Sequence, residues 1–364
     1  MHLQTNADGT RPGRIAIAMS GGADSSAAAA ILVDRGHEVI GFTARMWNDG
    51  SRCCSEEDVV RAREVAWFLG IRHHVLNATE IFAQEVVDPF VAEYVNGRTP
   101  SPCINCNEMV KFGLLLRRAV QLDCAALATG HYARVVSDSG LHSLFCARDT
   151  TRDQSYFLHR LSQEQLSRSV FPLADLMKKT EVTDYIARRG LPVQNRPESR
   201  DVCFVPDGNY AGFVETRMPE ARKPGPVLDI SGRTLGLHQG VHRFTIGQRH
   251  GLGVSAPEPL YVIRIDKRNG AVVVGSREQV MSRSCDVEDI NWISGTPPDF
   301  SRLYETRIRY NHAPEPATLS PVGDGVVHIS FVEPQFAITP GQAAVFYDGQ
   351  QVVGGGWIAS PLTA

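Results

Sequence analysis

The sequence predicts an α/β protein, with a doubly wound parallel-sheet domain followed by a small central domain and a C-terminal β-barrel. Three observations lead to this. Short apolar runs alternate with helical stretches in the first half of the chain, which is typical of a parallel sheet covered on both faces. A turn rich in glycine and serine follows the first of these runs. After about residue 206, glycine and proline become frequent and the strands shorten, as in small antiparallel domains or barrels.

The elements of the first half alternate in chain order. Strands are predicted at residues 14–19, 38–44, 72–76 and 125–129, because each is a short run rich in apolar residues. Helices are predicted between them at residues 27–35, 56–69 and 110–122. The first two helices are followed by Gly36 and Gly70, and glycine is the residue most favoured just beyond a helix.

The second half of the chain contains short apolar segments, several of them alternating with polar residues. Strands are predicted at residues 244–246, 261–265, 271–274, 326–331 and 343–347. The changes in composition predict boundaries near 208 and 282. They divide the chain into the parallel-sheet domain (1–208), the central domain (209–282) and the barrel (283–364).

Composition sets limits on the class of protein. A chain of 364 residues exceeds one ordinary core, and 43% hydrophobic with 21% charged residues is normal for a globular protein. The sequence has no apolar run of eighteen residues, so no membrane span is predicted. Residues 1–14 are polar and are expected to form a disordered tail rather than a signal peptide. These features lead us to expect a cytoplasmic protein.

The formal net charge of −3 shows no general excess of basic residues, so any RNA-binding surface must be a local patch. The candidate patches, some of which are expected to be ordinary solvated faces, are Arg117-Arg118, Lys178-Lys179, Arg188-Arg189 and the set Arg302, Arg307 and Arg309.

The turn after the first strand is Ser20-Gly-Gly-Ala-Asp-Ser-Ser26. Its glycines allow backbone N–H groups to approach an anion, and the following helix adds its positive N-terminus. The hydroxyls of Ser25 and Ser26 can donate to phosphate oxygens. The spacing matches neither a Walker A loop nor a Rossmann loop. It matches the PP-loop of the ATP pyrophosphatase superfamily, and the alternative is a turn that only caps a helix.

Cysteines suggest a second kind of chemistry. Cys103 and Cys106 form a Cys-x-x-Cys pair in a proline-rich loop, and Cys203 lies near the predicted end of the first domain. Sulfur transfer needs one cysteine to carry a persulfide and another to release its outer sulfur. Zinc is the alternative, with Cys53-Cys54 as an irregular second half of the site. Cys124, Cys146 and Cys285 are expected to be small buried hydrophobic residues.

With the PP-loop and these cysteines, the chain resembles the bacterial tRNA-specific 2-thiouridylase family over nearly its whole length. The matching motifs are Ser20-Gly-Gly-Ala-Asp-Ser-Ser26, Cys53-Cys-Ser-Glu-Glu-Asp58, Gly97-Arg-Thr-Pro-Ser-Pro-Cys-Ile-Asn-Cys-Asn107, Thr129-Gly-His-Tyr132, Arg152-Asp-Gln-Ser-Tyr-Phe157, Asp201-Val-Cys-Phe204, Thr245-Ile-Gly-Gln-Arg249 and Thr339-Pro-Gly-Gln342. The resemblance implies adenylation of the wobble uridine C2 oxygen by ATP, then its replacement by sulfur relayed from a persulfide.

The resemblance also implies roles for single residues. Cys106 matches the nucleophile and Cys203 the persulfide carrier. The positions that match ATP contacts are Ala18, Met19, Ser20, Gly21, Gly22, Ala23, Asp24, Ser25, Ala44 and Gly130. Those that match tRNA contacts are Ser101, Pro102, Cys103, His131, Arg152, Asp153, Gln154, Arg309, Tyr310 and Gln342. His131 could instead be a structural histidine, and residues 309–310 an exposed strand face.

Two departures from the family pattern are visible: Ala23 replaces the usual valine, and Arg200 precedes Asp201 where glutamine is common. The expected cofactors are ATP and Mg²⁺, with Asp24 as a possible magnesium ligand or water-holder. The expected partners are tRNA and an upstream persulfide sulfur carrier or cysteine desulfurase, and no membrane.

Two other functions remain open. One is a PP-loop synthetase or amidotransferase acting on a small metabolite, which would not need the Cys106 and Cys203 pair. The other is a zinc-stabilised RNA-binding module without catalysis, which would not need an intact PP-loop. In a doubly wound sheet, ligands sit at the carboxyl ends of the strands, so Cys106 and Cys203 are expected in loops at the same end as the PP-loop.

Overall fold

The structure is a computed structural model that describes residues 13–47, 56–176, 179–193, 202–205, 207–323 and 325–359. The expectations for residues 1–12 of the N-terminal tail and for Cys53, Cys54, Lys178, Arg200 and Asp201 fall outside these ranges. The tail expected at 1–14 is too long, because Arg14 bonds the Glu38 side chain at 2.7 Å. Within them, no helix combines the length and the apolar character that crossing a membrane would require.

The helices are concentrated in the first 220 residues. In chain order they are α1 (Ala23–Asp34), α2 (Glu56–Phe68), α3 (Thr79–Phe82), α4 (Asp88–Val95), α5 (Pro102–Asn105), α6 (Leu116–Gln121), α7 (Gln163–Ser167), α8 (Lys179–Arg189) and α9 (Tyr210–Arg217). Two π-helical segments, Ala83–Val87 and Cys106–Leu115, make α3–α4 and α5–α6 two continuous helical runs.

The N-terminal domain is built on the predicted parallel sheet. Its strands and an added hairpin are β1 (Ile15–Ala18), β2 (Val39–Arg45), β3 (Arg72–Asn77), β4 (Ala126–Ala128), β5 (Ala133–Asp138), β6 (Leu141–Cys146) and β7 (Ser169–Val170). The sheet order is β3–β2–β1–β4–β7, with every neighbouring pair parallel. The predicted doubly wound fold is therefore confirmed.

The side chains of β1 alternate between the two faces of the sheet, and both faces are covered. Ile15 and Ile17 pack into a cluster with α1 and α2, whereas Ala16 between them packs into a cluster on the other face. The strand order reverses at β1, which lies between β2 and β4. A crevice forms at such a point beyond the carboxyl ends of the strands, and ligands bind there in doubly wound folds.

The helix predicted at 110–122 begins earlier than expected. Helical structure starts at Pro102, within the proline-rich segment that is predicted to be a loop. Proline fits the first turn of a helix, because its missing N–H needs no partner there. Within the π-helical segment, the Gln165 amide donates to the backbone carbonyls of Glu108 and Phe112 at 3.1 and 3.2 Å. The segment that carries Cys106 is thus held by a side chain from α7.

The central domain contains a small sheet around its own apolar cluster. Its strands, β8 (Gly225–Leu228), β9 (Thr234–His238), β10 (Tyr261–Asp266) and β11 (Ala271–Gly275), follow the order β10–β11–β8–β9. The strand predicted at 244–246 is wrong. Phe244 is a buried residue after a 3-10 turn, and the Thr245 N–H donates to the Gln248 side chain instead of a neighbouring strand.

The C-terminal segment is a closed antiparallel barrel, as predicted. Its strands are β12 (Met281–Trp292), β13 (Leu303–Arg307), β14 (Glu315–Gly323), β15 (Val326–Phe336), β16 (Ala343–Asp348) and β17 (Gln351–Ile358), and pairing of β12 with β17 closes it. The β5–β6 hairpin of the N-terminal domain adds to β17, with Leu144 opposite Val352. The barrel is therefore joined to the first domain by strand pairing.

Candidate active site

The PP-loop (residues 20–26) lies at the switch point between β1 and α1. Gly21 has φ of +73°, and a Cβ there would lie 2.6 Å from the Asp58 carbonyl oxygen, so only glycine fits. The Ser20 N–H donates to Ser25 Oγ at 3.2 Å, and the Ser25 hydroxyl donates to the Gly22 carbonyl at 3.1 Å. The loop is thus held by contacts among its own residues.

One expectation for this loop is wrong. Ser26 is fully buried, and its hydroxyl donates to the Gly22 carbonyl at 2.8 Å. It stabilises the first turn of α1. The hydroxyls of Ser25 and Ser26 both donate to the Gly22 carbonyl and not toward a phosphate. Ser20, Gly22, Ala23 and Asp24 retain solvent access at the loop surface.

The turn after β4 packs directly against the PP-loop. A Cβ on Gly130 would lie 2.8 Å from the Ser25 nitrogen. Tyr132, two residues later, donates its hydroxyl to Asp24 Oδ1 at 2.7 Å, and Arg152 Nη2 donates to Asp24 Oδ2 at 3.2 Å. The Arg152 guanidinium also lies over the Tyr132 ring, 4.3 Å from its centroid. The PP-loop carboxylate is therefore held by two residues from outside the loop.

The remaining positions expected to contact ATP lie in the walls of the same crevice. Met19 and Ala44 are buried, Ala18 is half-buried, and the Met19 carbonyl accepts a hydrogen bond from Thr43 Oγ1 at 2.8 Å. Their side chains belong to the core. A nucleotide would meet these positions chiefly through backbone groups and small apolar surface.

The cysteine segment (residues 97–106) opens the long helical run. Ser101 precedes α5, Pro102 is buried, Cys103 is exposed, and Cys106 begins the π-helical segment. Cys106 is half-buried, as is the distant Cys203. Both pack against the same hydrophobic cluster. The two predicted cysteines therefore border one extended core, and Cys106 lies in a helical run rather than in the predicted loop.

Residues of the other two domains hold the cysteine segment in place. The Gln342 amide donates to the carbonyls of Thr99 and Pro100 at 2.9 and 3.2 Å. The Thr99 N–H donates to the Pro340 carbonyl at 2.8 Å, and its hydroxyl donates to Thr245 of the central domain at 3.1 Å. Gln342, expected to contact RNA, therefore also positions the loop that precedes Cys103.

A cavity of about 170 Å³ lies beside this segment. Its lining residues come from the helical run before the segment, from the segment itself and from the barrel: Val86, Pro89, Phe90, Glu93, Arg98, Pro100, Ser101, Pro102, Asn105, Gly341 and Trp357. Ser101 and Pro102, both expected to contact tRNA, lie in its wall.

The tripeptide at 152–154 is packed between the PP-loop and the barrel. Asp153 is fully buried and pairs with Arg307 of the barrel, with 3.2 Å between its Oδ2 and Nη1. Gln154 is bonded in both directions to Tyr132: its N–H donates to the Tyr132 carbonyl at 2.8 Å, and its Oε1 accepts from the Tyr132 N–H at 3.1 Å. Residues 152–154 are all expected to contact tRNA, and the side chain of Asp153 is the least exposed of the three.

His131 and the pair at 309–310 occupy apolar surroundings. His131 is bonded to Thr129 Oγ1 at 2.7 Å and lies near Phe112 and Phe171. Burial, assisted by the charge of Lys111, lowers its pKa well below the usual range, so the imidazole is neutral. Arg309 Nη1 donates to the Phe336 carbonyl at 3.1 Å. Tyr310 packs on Phe157, with ring centroids 4.4 Å apart.

The three other described cysteines are poor nucleophiles. Cys124 and Cys146 are buried as expected, and Cys285 is half-buried. Burial raises the pKa of Cys124, raises that of Cys146 to about 11 and raises that of Cys285 to about 12. Among the described residues, no three His, Cys, Asp or Glu side chains are grouped as a metal site would require.

Sequence reasoning missed two residues that shape this site. Tyr132, quoted only within a motif, bonds the PP-loop carboxylate, and its place just after the fourth strand is a signal that it shares the edge of the sheet with the PP-loop. The sequence marks Arg307 only as part of a basic patch, although the residue pairs with a buried carboxylate. A charge pattern alone does not reveal such a distant partner.

Comparisons with known proteins agree with this architecture. A family model described as the tRNA methyl transferase HUP domain matches residues 13–207. The tRNA methyl transferase PRC-barrel domain matches 211–276, and the aminomethyltransferase β-barrel domain matches 282–358.

Curated relatives match along nearly the whole chain. The tRNA-specific 2-thiouridylase of Magnetococcus marinus is 45% identical, over 96% of this chain and 99% of its own length. That of Syntrophotalea carbinolica is 47% identical, over 95% and 98% respectively. The chain therefore belongs to the tRNA-specific 2-thiouridylase family.

Proposed function

We propose that this member of the family is a tRNA 2-thiouridine synthase, which activates the C2 oxygen of the wobble uridine with ATP and replaces it with sulfur. One observation carries the proposal. An intact PP-loop lies at the switch point of a fold in which Cys106 and Cys203 pack against a single hydrophobic cluster. Adenylation and cysteine-borne sulfur are the two chemistries that this reaction combines.

ATP is a substrate of the proposed reaction, and the PP-loop suits its phosphates. A side chain at Gly21 or Gly130 would collide with backbone atoms around the loop, so glycine keeps this cradle open. We infer that the N–H groups of residues 20–25 and the N-terminus of α1 bind the phosphates. Mg²⁺, when bound, would neutralise the pyrophosphate, with Asp24 holding it directly or through water.

The first proposed step forms an adenylate. The uridine C2 oxygen bonds to the α-phosphorus, and the bond to pyrophosphate breaks. The PP-loop N–H groups stabilise the negative charge that develops on the phosphate oxygens. The C2 oxygen, a poor leaving group as a carbonyl, then departs with AMP.

The second proposed step transfers sulfur. The outer sulfur of a persulfide on Cys203 bonds to C2 as AMP leaves, and the Cys106 thiolate then attacks the inner sulfur. The S–S bond of the persulfide breaks, thiouridine is released, and a Cys106–Cys203 disulfide forms. Alternatively, Cys106 attacks first and the released sulfide bonds to C2. In both routes a two-electron reductant restores the thiols, which suits a reducing cytoplasm.

The RNA surface is proposed to include the cysteine segment, His131, Arg152, Gln154, Arg309, Tyr310 and Gln342, while the buried Asp153 between Arg152 and Gln154 supports it from within. The domains are proposed to divide near 208 and 282. The uridine must leave its stack to reach the cysteines, as in base-flipping enzymes. Binding to the phosphate backbone should weaken with salt. An upstream persulfide carrier or cysteine desulfurase is proposed to load Cys203.

The test is mass spectrometry of tRNA nucleosides after incubation with ATP, Mg²⁺ and a persulfide donor. Cys106→Ser and Cys203→Ser should each lower thiolation by more than about 1,000-fold, as expected when a nucleophile is removed. Pyrophosphate release should survive in both variants. Cys285→Ser, which changes a cysteine of the barrel, is the matched control and should thiolate normally.

Three outcomes would overturn parts of the proposal. Absence of thiouridine from the wild-type reaction would remove the function itself. Normal thiolation by Cys106→Ser together with none by Cys103→Ser would shift the nucleophile by three residues. Tightly bound zinc in the wild type that is lost in both Cys103→Ser and Cys106→Ser would favour a metal site.

A further inference from the structure

Two neighbouring residues, Arg152 and Asp153, make ion pairs in opposite directions. Arg152 pairs with Asp24 of the PP-loop, at 3.2 Å, and its side chain is only 15% exposed. Asp153 pairs with Arg307 of the barrel, also at 3.2 Å, and its side chain is fully buried. One dipeptide therefore bridges the candidate ATP site and the C-terminal barrel.

The Asp153 end of this bridge is rigidly held. Besides Arg307, the carboxylate accepts bonds from the Ala147 N–H at 3.0 Å and from the Ser155 hydroxyl at 2.8 Å. The Arg307 guanidinium lies over the Tyr347 ring of the barrel, 4.9 Å from its centroid. A buried carboxylate with this many partners has few alternative positions, so it holds the Arg307 side chain of the barrel at a fixed point of the N-terminal domain.

The Arg152 end reaches the reacting part of the PP-loop. Asp24 also accepts a bond from Tyr132, whose backbone is bonded in both directions to Gln154. Arg152, Tyr132 and Gln154 thus form one unit that orients the Asp24 carboxylate. Any shift of residues 152–154 changes the position of Asp24.

The barrel end lies close to the proposed RNA surface. Arg307 ends β13, two residues before Arg309, and Tyr310 packs on Phe157 of the segment that follows the dipeptide. RNA bound at residues 309–310 would therefore lie next to the ion pair between Asp153 and Arg307.

We propose that Arg152 and Asp153 are positioning residues that couple tRNA on the barrel to ATP in the PP-loop, an inference that rests on the proposed function. Bound tRNA fixes Arg307 and the dipeptide, and Arg152 then holds Asp24 in the orientation that ATP requires. Because such coupling is reciprocal, ATP tightens tRNA binding by the same factor.

The test is the affinity for α,β-methylene-ATP, which cannot be cleaved to AMP, measured with and without unmodified tRNA on the full-length protein. The wild type should bind the analogue about 10-fold more tightly when tRNA is present, within the usual range of coupling. Arg152→Gln should reduce this ratio to about 1, and Arg152→Lys, which keeps the charge, should restore part of it.

A second variant tests the barrel half. Changing Asp153 alone would strand the buried Arg307 charge and risk misfolding, so both partners are replaced by amides in the double variant Asp153→Asn/Arg307→Gln. It should also reduce the ratio to about 1. Arg283→Gln is the matched control, because Arg283 pairs with Glu333 on the outside of the same barrel at 3.8 Å, and it should keep the wild-type ratio.

Several outcomes would overturn the inference. A wild-type ratio near 1, or an unchanged ratio in Arg152→Gln, would remove it. An unchanged ratio in the double variant would remove the barrel half. These failures differ from failure of the proposed function, because wild-type protein that lacks coupling would still make thiouridine from ATP and a persulfide donor.

Discussion

The PP-loop and the cysteine segment are both essential to the proposed reaction, yet they are held in place in opposite ways. The backbone of the PP-loop is stabilised by bonds among its own residues, such as that between Ser25 and the Gly22 carbonyl, although its Asp24 side chain is bonded by Tyr132 and Arg152. The cysteine segment depends on Gln342 of the barrel and Thr245 of the central domain. A local motif can therefore be identified from a short stretch of sequence, whereas a segment built by three domains cannot.

The strongest test of this comparison is a substitution that restricts the backbone conformation of the PP-loop. Gly21→Ala would place a Cβ 2.6 Å from the Asp58 carbonyl oxygen at a φ of +73°. We expect pyrophosphate release with tRNA to fall by about 100-fold, the effect of misplacing a reacting group by about 1 Å. The measurement is a continuous pyrophosphate assay.

Gly36→Ala is the control for Gly21→Ala. Gly36 has a similar φ of +81°, but no atom would contact the added Cβ. It should lose about 1–2 kcal/mol of folding stability from backbone strain and keep its activity. Equal activity in the two variants would show that the PP-loop tolerates displacement.

A change in the barrel tests the remote support of the cysteine segment. Gln342→Ala removes two hydrogen bonds to residues 99–100, each worth about 1 kcal/mol. We expect thiolation to fall by about 10-fold while affinity for the ATP analogue without tRNA stays the same.

Gln351→Ala is the matched control for Gln342→Ala. It removes a glutamine bond between the barrel and Ser143 that does not touch the cysteine segment, and it should thiolate at the wild-type rate. Equal losses in the two variants would argue that any weakening of the barrel is sufficient.

A smaller effect is expected at Cys103. It lies exposed in the same segment as Cys106. Cys103→Ser should change thiolation by about 2-fold or less, the range of a surface substitution. Loss of thiolation measured by nucleoside mass spectrometry would make Cys103 part of the chemistry.

The interface between the barrel and the first domain should also respond to pH. Burial lowers the pKa of His159, beside Gly355 of the barrel, to about 3. Below pH 6.5 the unfolded chain binds a proton here and the folded chain does not, so acid destabilises the fold. The stabilising contribution of His159 relative to His159→Gln should fall by about 1.3 kcal/mol between pH 7.5 and 5.5.

Urea unfolding at the two pH values measures this difference. A difference that does not change with pH would show that His159 is protonated in the folded protein or that the barrel does not unfold with the first domain.

Much of the fold could be predicted because local patterns report local burial. The runs at residues 14–19 and 38–44 are apolar because both faces of β1 and β2 are covered, and the sequence shows this directly. The run at 244–246 is also apolar but does not form a strand, because Phe244 packs into the core of the central domain without pairing in a sheet. Apolar character predicts burial and does not by itself predict strand pairing.

The candidate site divides along the same line. The sequence by itself determined the PP-loop, since Gly21, Gly22 and Ser25 act within one turn of chain, and it identified Cys106 and Cys203 through their motifs. Only the tertiary structure decided which residues support them: Arg152 on Asp24, Arg307 on Asp153 and Gln342 on the cysteine segment. These contacts join residues more than 100 positions apart, and such pairs form only after the sheet and the barrel have brought them together.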